Sequence, residues 1–227
     1  MKLNSIKQLK GTIVLKTGLH IGSGDTEMHI GGTDSQVVKH PKTLQPYIPG
    51  SSLKGKIRSL LELYFGLTNF TLGKVFTSKY LKDIQDDKTK KDAVSLLQLF
   101  GDSAGADSGN VEIGQTRLSF SDCYVNDETK DYVLSEIKSE NSINRRNSKA
   151  ESPRFIERVP EGVKFDFVVS IKDFDGDGGN LLAAFYKGLK LLELDALGGS
   201  GSRGYGKIKF ENLNLVGAGV SLPENLD

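Results

Sequence analysis

Two amphipathic helical stretches, each set between strand-like segments, restrict this chain more than any other feature. In "PYIPGSSLKGKIRSLLELYFG", Pro49 blocks a helix before it and Ser51 or Ser52 is expected to supply the N-cap. Leu53, Ile57, Leu60, Leu61 and Tyr64 then recur at helical spacing, so one face is buried, and Gly66 is placed to stop the helix. "GGNLLAAFYKGLKLLELDAL" is a second helix of the same kind. Before the first lies "LKGTIVLKTGLHIGSG", a β-branched strand closed by a glycine turn. "SQVVKHP" reads as a short strand, and "NVEIGQTRLSFSDCYV" as another, with Val111, Ile113, Leu118 and Phe120 as core candidates. "VKFDFVVSIKDF" alternates like a core strand, and "GKIKFENLNLV" closes the series.

The order is therefore β–α–β followed by β–α–β, interrupted by insertions. It predicts an α+β fold, a ferredoxin-like sheet with two helices on one face, shared with the RNA-recognition fold. Fold alone gives no function. The insertion at 67–109 is charged, predicted helical, and ends in a glycine- and serine-rich loop. The segment 131–160 is polar and carries "SINRRNSKAESPRF".

Composition narrows the classes. The chain has 227 residues, enough for one large domain or two small ones, and 1–227 is read as one. One cysteine, Cys123, rules out an intramolecular disulfide and a cysteine-based zinc site, and points to a reducing, cytoplasmic setting. No apolar run is long enough to span a bilayer, and "MKLNSIKQLKG" lacks the apolar core of a signal peptide, so no membrane partner is expected. With a formal net charge of +1, any nucleic acid must be held by local placement of charge.

Several motifs imitate known sites. Gly199, Gly201 and Gly204 fit GxGxxG, and Gly201 to Lys207 fits GxxxxGK, but both need a strand before and a helix after. Here the order is reversed, and Ile208 stands where a Walker loop needs Ser or Thr. What remains is a backbone surface with Arg203, Tyr205 and Lys207, able to approach a sugar–phosphate chain. "DFDGDG" resembles the start of an EF-hand loop, but its twelfth position is Ala184, so a turn with an N-cap is the better reading. His20, His29 and His40 match no zinc spacing. Lys54 and Arg58 share one helix face behind a helix N-terminus that attracts phosphate; a solvated charged face is the alternative. Arg145, Arg146, Lys149 and Arg154, with Ile143 and Phe155 as apolar wedges, form either a disordered loop or a hairpin that contacts phosphates and wedges between bases.

"GLHIGSG", "YIPGSSLKGKIRSLLE" and "LGGSGSRGYGKIKF", in this order, resemble RAMP proteins of CRISPR systems, and "IGGTDSQVVKHP" narrows the resemblance to the repeated backbone subunit of type III-A, Csm-type, interference complexes. It covers nearly the whole chain. The resemblance implies a ferredoxin-like core and head-to-tail assembly of copies along a guide RNA, beside other Csm-complex subunits. It also implies a thumb hairpin, here about 131–160, that interrupts the guide–target duplex. A loop aspartate then cuts the target RNA with a divalent metal, expected to be magnesium. Carried over by position, Asp34 is the catalytic and metal-holding residue, and His20, Ser52, Lys54 and Arg58 contact the guide. Arg145 and Arg146 fall in the thumb, and Gly201, Arg203 and Tyr205 in the RNA-binding glycine loop. Two alternatives stay open: a non-catalytic RNA-binding filament subunit, and a guide-processing endonuclease, for which no histidine or paired basic and hydroxyl set is evident.

Overall fold

The computed structural model describes residues 1–24, 35–103, 113–215 and 218–219, the last pair by backbone alone. Asp34, His29 and Val111 lie outside the described residues. In chain order the elements are β1 (Leu3–Leu15), β2 (Tyr47–Ile48), α1 (Gly50–Tyr64), α2 (Asp87–Phe100), β3 (Leu118–Phe120), β4 (Cys123–Tyr124), β5 (Glu136–Ile143), β6 (Ala150–Arg158), β7 (Lys164–Phe174), α3 (Asn180–Leu194), β8 (Ile208–Leu215) and β9 (Ala218–Gly219).

The main sheet runs β3-β7-β1-β8-β9, and every neighbouring pair is antiparallel. Units β1-α1-β3 and β7-α3-β8 thus interleave, each leaving a gap that a strand of the other fills. That is the ferredoxin-like order the sequence predicts. The strand period of two places Leu9, Ile13 and Leu15 of β1 inside, with Phe165, Phe167, Val169 and Ile171 of β7 and Ile208 and Phe210 of β8. Leu53, Ile57 and Leu61 of α1 and Phe185, Leu189 and Leu192 of α3 close this core. Tyr64, read as a core position, is instead exposed. A bulge at Asn212 (φ 55°) shifts the β1–β8 register opposite Gly11.

Helix α1 begins differently from expectation. Pro49 is the N-cap, no side chain of the preceding loop caps it, and Ser51 and Ser52 lie inside the first turn. The Asp122 carboxylate accepts from the Gly50 N–H at 2.8 Å, so a protein anion already sits at this helix start. Gly66 follows the last turn at φ 70°, where a side chain is disfavoured.

The insertion is less separate than its charge suggests. Asp86 caps α2 by accepting from Thr89 N–H at 2.7 Å, and Ala93, Leu96, Leu97 and Phe100 pack into the main core. Arg58 fastens the insertion to α1, donating to Glu62 (2.8 Å), the Gly101 carbonyl (3.0 Å) and the Phe76 carbonyl (2.6 Å). The acidic turn after β7 is also structural. Asp177 receives Arg117 Nε and Nη2 at 3.2 and 2.8 Å and the Phe174 N–H at 3.1 Å. The N-cap reading of that turn fails, since Gly179 caps α3 without a side-chain bond.

Helices α1 and α3 approach closely at Gly188, where an added methyl would meet Ile57 Cγ2 at 2.7 Å and Leu61 Cδ1 at 2.9 Å. Gly188→Val is expected to lose roughly 1–3 kcal/mol through overpacking, despite replacing a poor helix former. A denaturant midpoint equal to that of the wild type would contradict this account of the crossing.

Candidate nucleic-acid interface

Residues 17–22, the "TGLHIG" that leaves β1, form no regular strand, yet their backbone groups are taken up by three other segments. The glycine loop docks first: Gly206 N–H donates to the Gly18 carbonyl and Gly199 N–H to the His20 carbonyl, both at 2.9 Å. Glycine is required there, because a methyl at Gly198 would overlap the His20 carbonyl and one at Gly206 the Leu197 carbonyl, and both have positive φ. The base of the β5–β6 hairpin docks second, Leu19 and Val159 exchanging backbone bonds at 2.8 Å. The third is the segment after Asp34: Val38 N–H donates to the Ile21 carbonyl at 2.8 Å and Ser23 N–H to the Gln36 carbonyl at 3.1 Å. Residues 35–39 make isolated bridges rather than the short strand expected, and with residues 21–23 they form a neck.

The hairpin base lies between the other two segments because neighbouring residues of a strand face opposite ways. Glu157 faces the neck. Its backbone N–H donates to the Ser35 carbonyl at 3.0 Å, and its carboxylate accepts from Val37 N–H (3.0 Å), Lys39 (2.6 Å) and Ser135 (2.5 Å). Burial pushes this carboxyl up, but its hydrogen bonds and the Lys39 charge outweigh that and hold it below the ordinary glutamate value. His20 completes the cluster. Its Nδ1 lies 2.6 Å from the Glu157 carbonyl, which can only accept, so Nδ1 carries a proton; in the neutral ring Nε2 then accepts from Ser35 Oγ at 3.1 Å.

On the opposite face, Tyr205 is fully buried, its hydroxyl donating to Glu140 at 2.8 Å and its ring lying beneath Lys138 and Arg158. Burial, then Glu140, pushes the phenol up to about 12. Arg203 pairs with the same Glu140 at 2.8 Å and donates to Ser200. Gly201 opens the short turn Gly201–Arg203, packed on Ala196.

The cations expected to meet phosphate fall into two groups. Arg145 and Arg146 stand exposed at the hairpin tip, in a turn organised by Asn144, whose side chain accepts from the Arg146 N–H at 2.9 Å. They have no acidic partner among the described residues, nor do Lys149 and Arg154. Exposed Ile143 lies on the same hairpin. A bulge at Ser152 (φ 53°) bends β6 just beyond Arg154 towards the tip. At α1, Lys54 is half-buried and without an acidic partner among the described residues, its pKa lowered by burial and then by Arg58. Ser52 is half-buried beside it. Arg58 and Tyr205 belong with neither group. Three hydrogen bonds engage the Arg58 guanidinium, and Tyr205 offers no ring face to a base. Both side chains are engaged within the protein.

Sequence reasoning missed Glu157, Glu140 and Ser35. The alternation of charge in "SEIKSE" and "RFIERV" marks a hairpin with one polar face, but not which carboxylate is buried. Among the described residues no group of three His, Cys, Asp or Glu side chains could hold a metal, and no helix is long and apolar enough to cross a membrane.

Residues 12–209 match the family model of the RAMP superfamily. Among curated proteins the chain is 38% identical to the "CRISPR system Cms endoribonuclease Csm3" of Methanothermobacter thermautotrophicus, over 91% of this chain and 84% of that protein. To the protein of the same description from Streptococcus thermophilus it is 41% identical, over 90% of this chain and 86% of that one. Among solved structures, a chain of the Csm3-Csm4 subcomplex in the type III-A CRISPR-Cas interference complex matches with TM-score 0.57 and 30% identity, over 95% of this chain and 80% of that one. A chain of the type III-B Cmr-beta complex bound to cognate target RNA shares the fold, with TM-score 0.61 at 17% identity, over 92% of this chain and 60% of that one.

The two helix cations should behave oppositely. Lys54→Ala is expected to keep stability and to flatten the dependence of log affinity for RNA on log salt by about 0.7–0.9, one lost phosphate contact. Arg58→Ala should instead cost roughly 3 kcal/mol of stability, seen as a lower unfolding midpoint, as for a buried pair broken on one side. Equal salt slopes in wild type and Lys54→Ala would remove Lys54 from the interface.

Proposed function

Because this chain belongs to the RAMP superfamily and, within it, to the Csm3 family, we propose that it is the repeated backbone subunit of a type III-A CRISPR effector complex. It binds guide RNA, assembles with further copies of itself and other Csm-complex subunits, and cuts complementary target RNA at regular intervals as an endoribonuclease. One observation carries the reading: the glycine loop, the cationic hairpin and the neck of the Asp34 loop all dock on residues 17–22. A guide lying along that line meets all three. The assembly works in the cytoplasm.

Each segment has a separate task. Lys54, beside the start of α1, and the exposed backbone of the Gly201–Arg203 turn meet guide phosphates, with Ser52 near the first. His20 contributes by holding its loop, since both ring nitrogens are engaged within the protein. Arg145 and Arg146 carry the hairpin tip against the duplex, where Ile143 and Phe155 wedge bases apart. A splayed nucleotide can align its 2′-hydroxyl opposite the leaving 5′-oxygen, which a regular helix forbids. The 2′-oxygen then attacks phosphorus, the bond to the 5′-oxygen breaks, and that oxygen takes a proton from water, so a cyclic phosphate and a 5′-hydroxyl result. Asp34 accepts the 2′-hydroxyl proton or orients the phosphate. Hard ions such as magnesium rest on one or two carboxylates and phosphate oxygens, so Asp34 is the residue that would hold one, and bound there it would neutralise charge developing on the phosphate.

Asparagine keeps the turn preference of aspartate but lacks its charge. In complexes carrying Asp34→Asn or Asp34→Ala, target binding should stay within about twofold of wild type while spaced cutting disappears, and EDTA should silence the wild type. These bounds allow for less than about 0.4 kcal/mol of lost binding. Regular cutting by Asp34→Asn at the wild-type rate would leave a non-catalytic filament subunit as the better reading.

A further inference from the structure

Glu157 makes three hydrogen bonds to the segment after Asp34, one through its N–H and two through its carboxylate, and the activity proposed above accounts for none of these three. Its N–H and carbonyl engage Ser35 and His20, and its carboxylate engages Val37, Lys39 and Ser135. The side chain is only 7% exposed and its Lys39 partner 35%. Such a carboxylate is costly to bury unless its hydrogen bonds are complete, as they are here.

The partners come from different parts of the chain. Ser135 precedes β5 and Glu157 is next to the last residue of β6, so both belong to the base of the hairpin. Ser35, Val37 and Lys39 belong to the neck, and Ser35 is one peptide unit from Asp34. The alternating residues 35, 37 and 39 all turn to the hairpin, while Gln36 and Val38 pair back onto residues 21–23. The neck is thus held along both edges, and its outer edge is held by one residue.

We infer that Glu157 is a positioning residue: it fixes residues 35–39, which follow Asp34 directly in the chain, to the hairpin base, so that the bond cut is set by where the hairpin opens the duplex. This rests on the cleavage reading. Two elements must agree for a regular cutting pattern, the wedge that splays a nucleotide and the carboxylate that acts beside it. Reaction at phosphorus tolerates little misplacement, and an error of about 1 Å can cost on the order of 100-fold in rate. A clasp between hairpin and neck removes the freedom that would allow such an error. Lys39 contributes by neutralising the clasp, and His20 by fastening Ser35 from the side of residues 17–22.

The test uses the assembled complex with guide, magnesium and end-labelled target RNA. Glu157→Gln keeps the shape and an acceptor for Val37 but not the charge that holds Lys39; Lys39→Met breaks the same pair from its more exposed end. Both should bind target within about twofold of wild type. At saturating target they should cut roughly 10- to 100-fold more slowly, with products spread onto neighbouring phosphodiester bonds. Glu157→Asp, which keeps the charge, should restore the single cut position in part. Inert Asp34→Ala beside Glu157→Gln and Lys39→Met that cut at the wild-type position and rate overturns the proposal alone. Loss of target binding in step with loss of cutting overturns it too, assigning Glu157 to the fold only. An Asp34→Ala complex that still cuts overturns the catalytic reading and this proposal with it.

Discussion

Every polar backbone group between Thr17 and Gly22 must find a partner, because this stretch runs between other segments and leaves the sheet behind. Three segments remote in sequence supply partners to Thr17 N–H, to both groups of Leu19 and to the Gly18, His20 and Ile21 carbonyls: residues 199–207, the hairpin base at Val159, and Val38. The consequence is geometric. Loops free to sample many positions are instead fixed to one line at the end of β1, and β1 is paired on both sides, with β7 and β8. Positions along an RNA backbone can be matched only by groups whose spacing is fixed in advance, and this line supplies that spacing.

The hairpin shows how local periodicity becomes long-range order. Strand alternation sends Glu136, Lys138 and Glu140 of β5 and Arg158 of β6 to one face, where they enclose Tyr205 of the glycine loop. It sends Glu157 to the other face, where it holds the neck. The base is thus pinned on both sides while the tip carries into solvent arginines with no acidic partner among the described residues. The element is therefore polarised, held where it joins the body and cationic at its tip.

Much of this was legible in the sequence. Helical spacing in "LKGKIRSLLEL" and alternation in "VKFDFVVSIKDF" gave the sheet and its helices, since both patterns report burial over short distances. The glycines of "LGGSGSRGYG" marked a close backbone approach, although they could not say that the nearest neighbour is the chain itself at His20. Roles decided by distant partners were not legible. Arg58 resembled Lys54, four residues away on the same helix, until the insertion placed two carbonyls on its guanidinium. Tyr205 read as part of a glycine loop that approaches RNA, with nothing to show that the hairpin covers its ring. Ser51 and Ser52 resembled caps, but Asp122, far along the chain, took the first amide of α1. Glu157 gave no signal, because the neck that buries it lies more than a hundred residues earlier.

The central claim is that glycine loop, hairpin base and neck form one rigid unit on residues 17–22. Native-state hydrogen exchange reads it directly, since amides that open together share one opening free energy. The relevant amides are those of Leu19, Val38, Val159, Gly199 and Gly206, all hydrogen-bonded across the joints. The account predicts one common opening free energy for the five, agreeing within about 0.5 kcal/mol and falling together with denaturant. Val38 or Gly199 exchanging through a separate opening, several kcal/mol easier than that of Leu19 and Val159, would show segments that move independently and would contradict it.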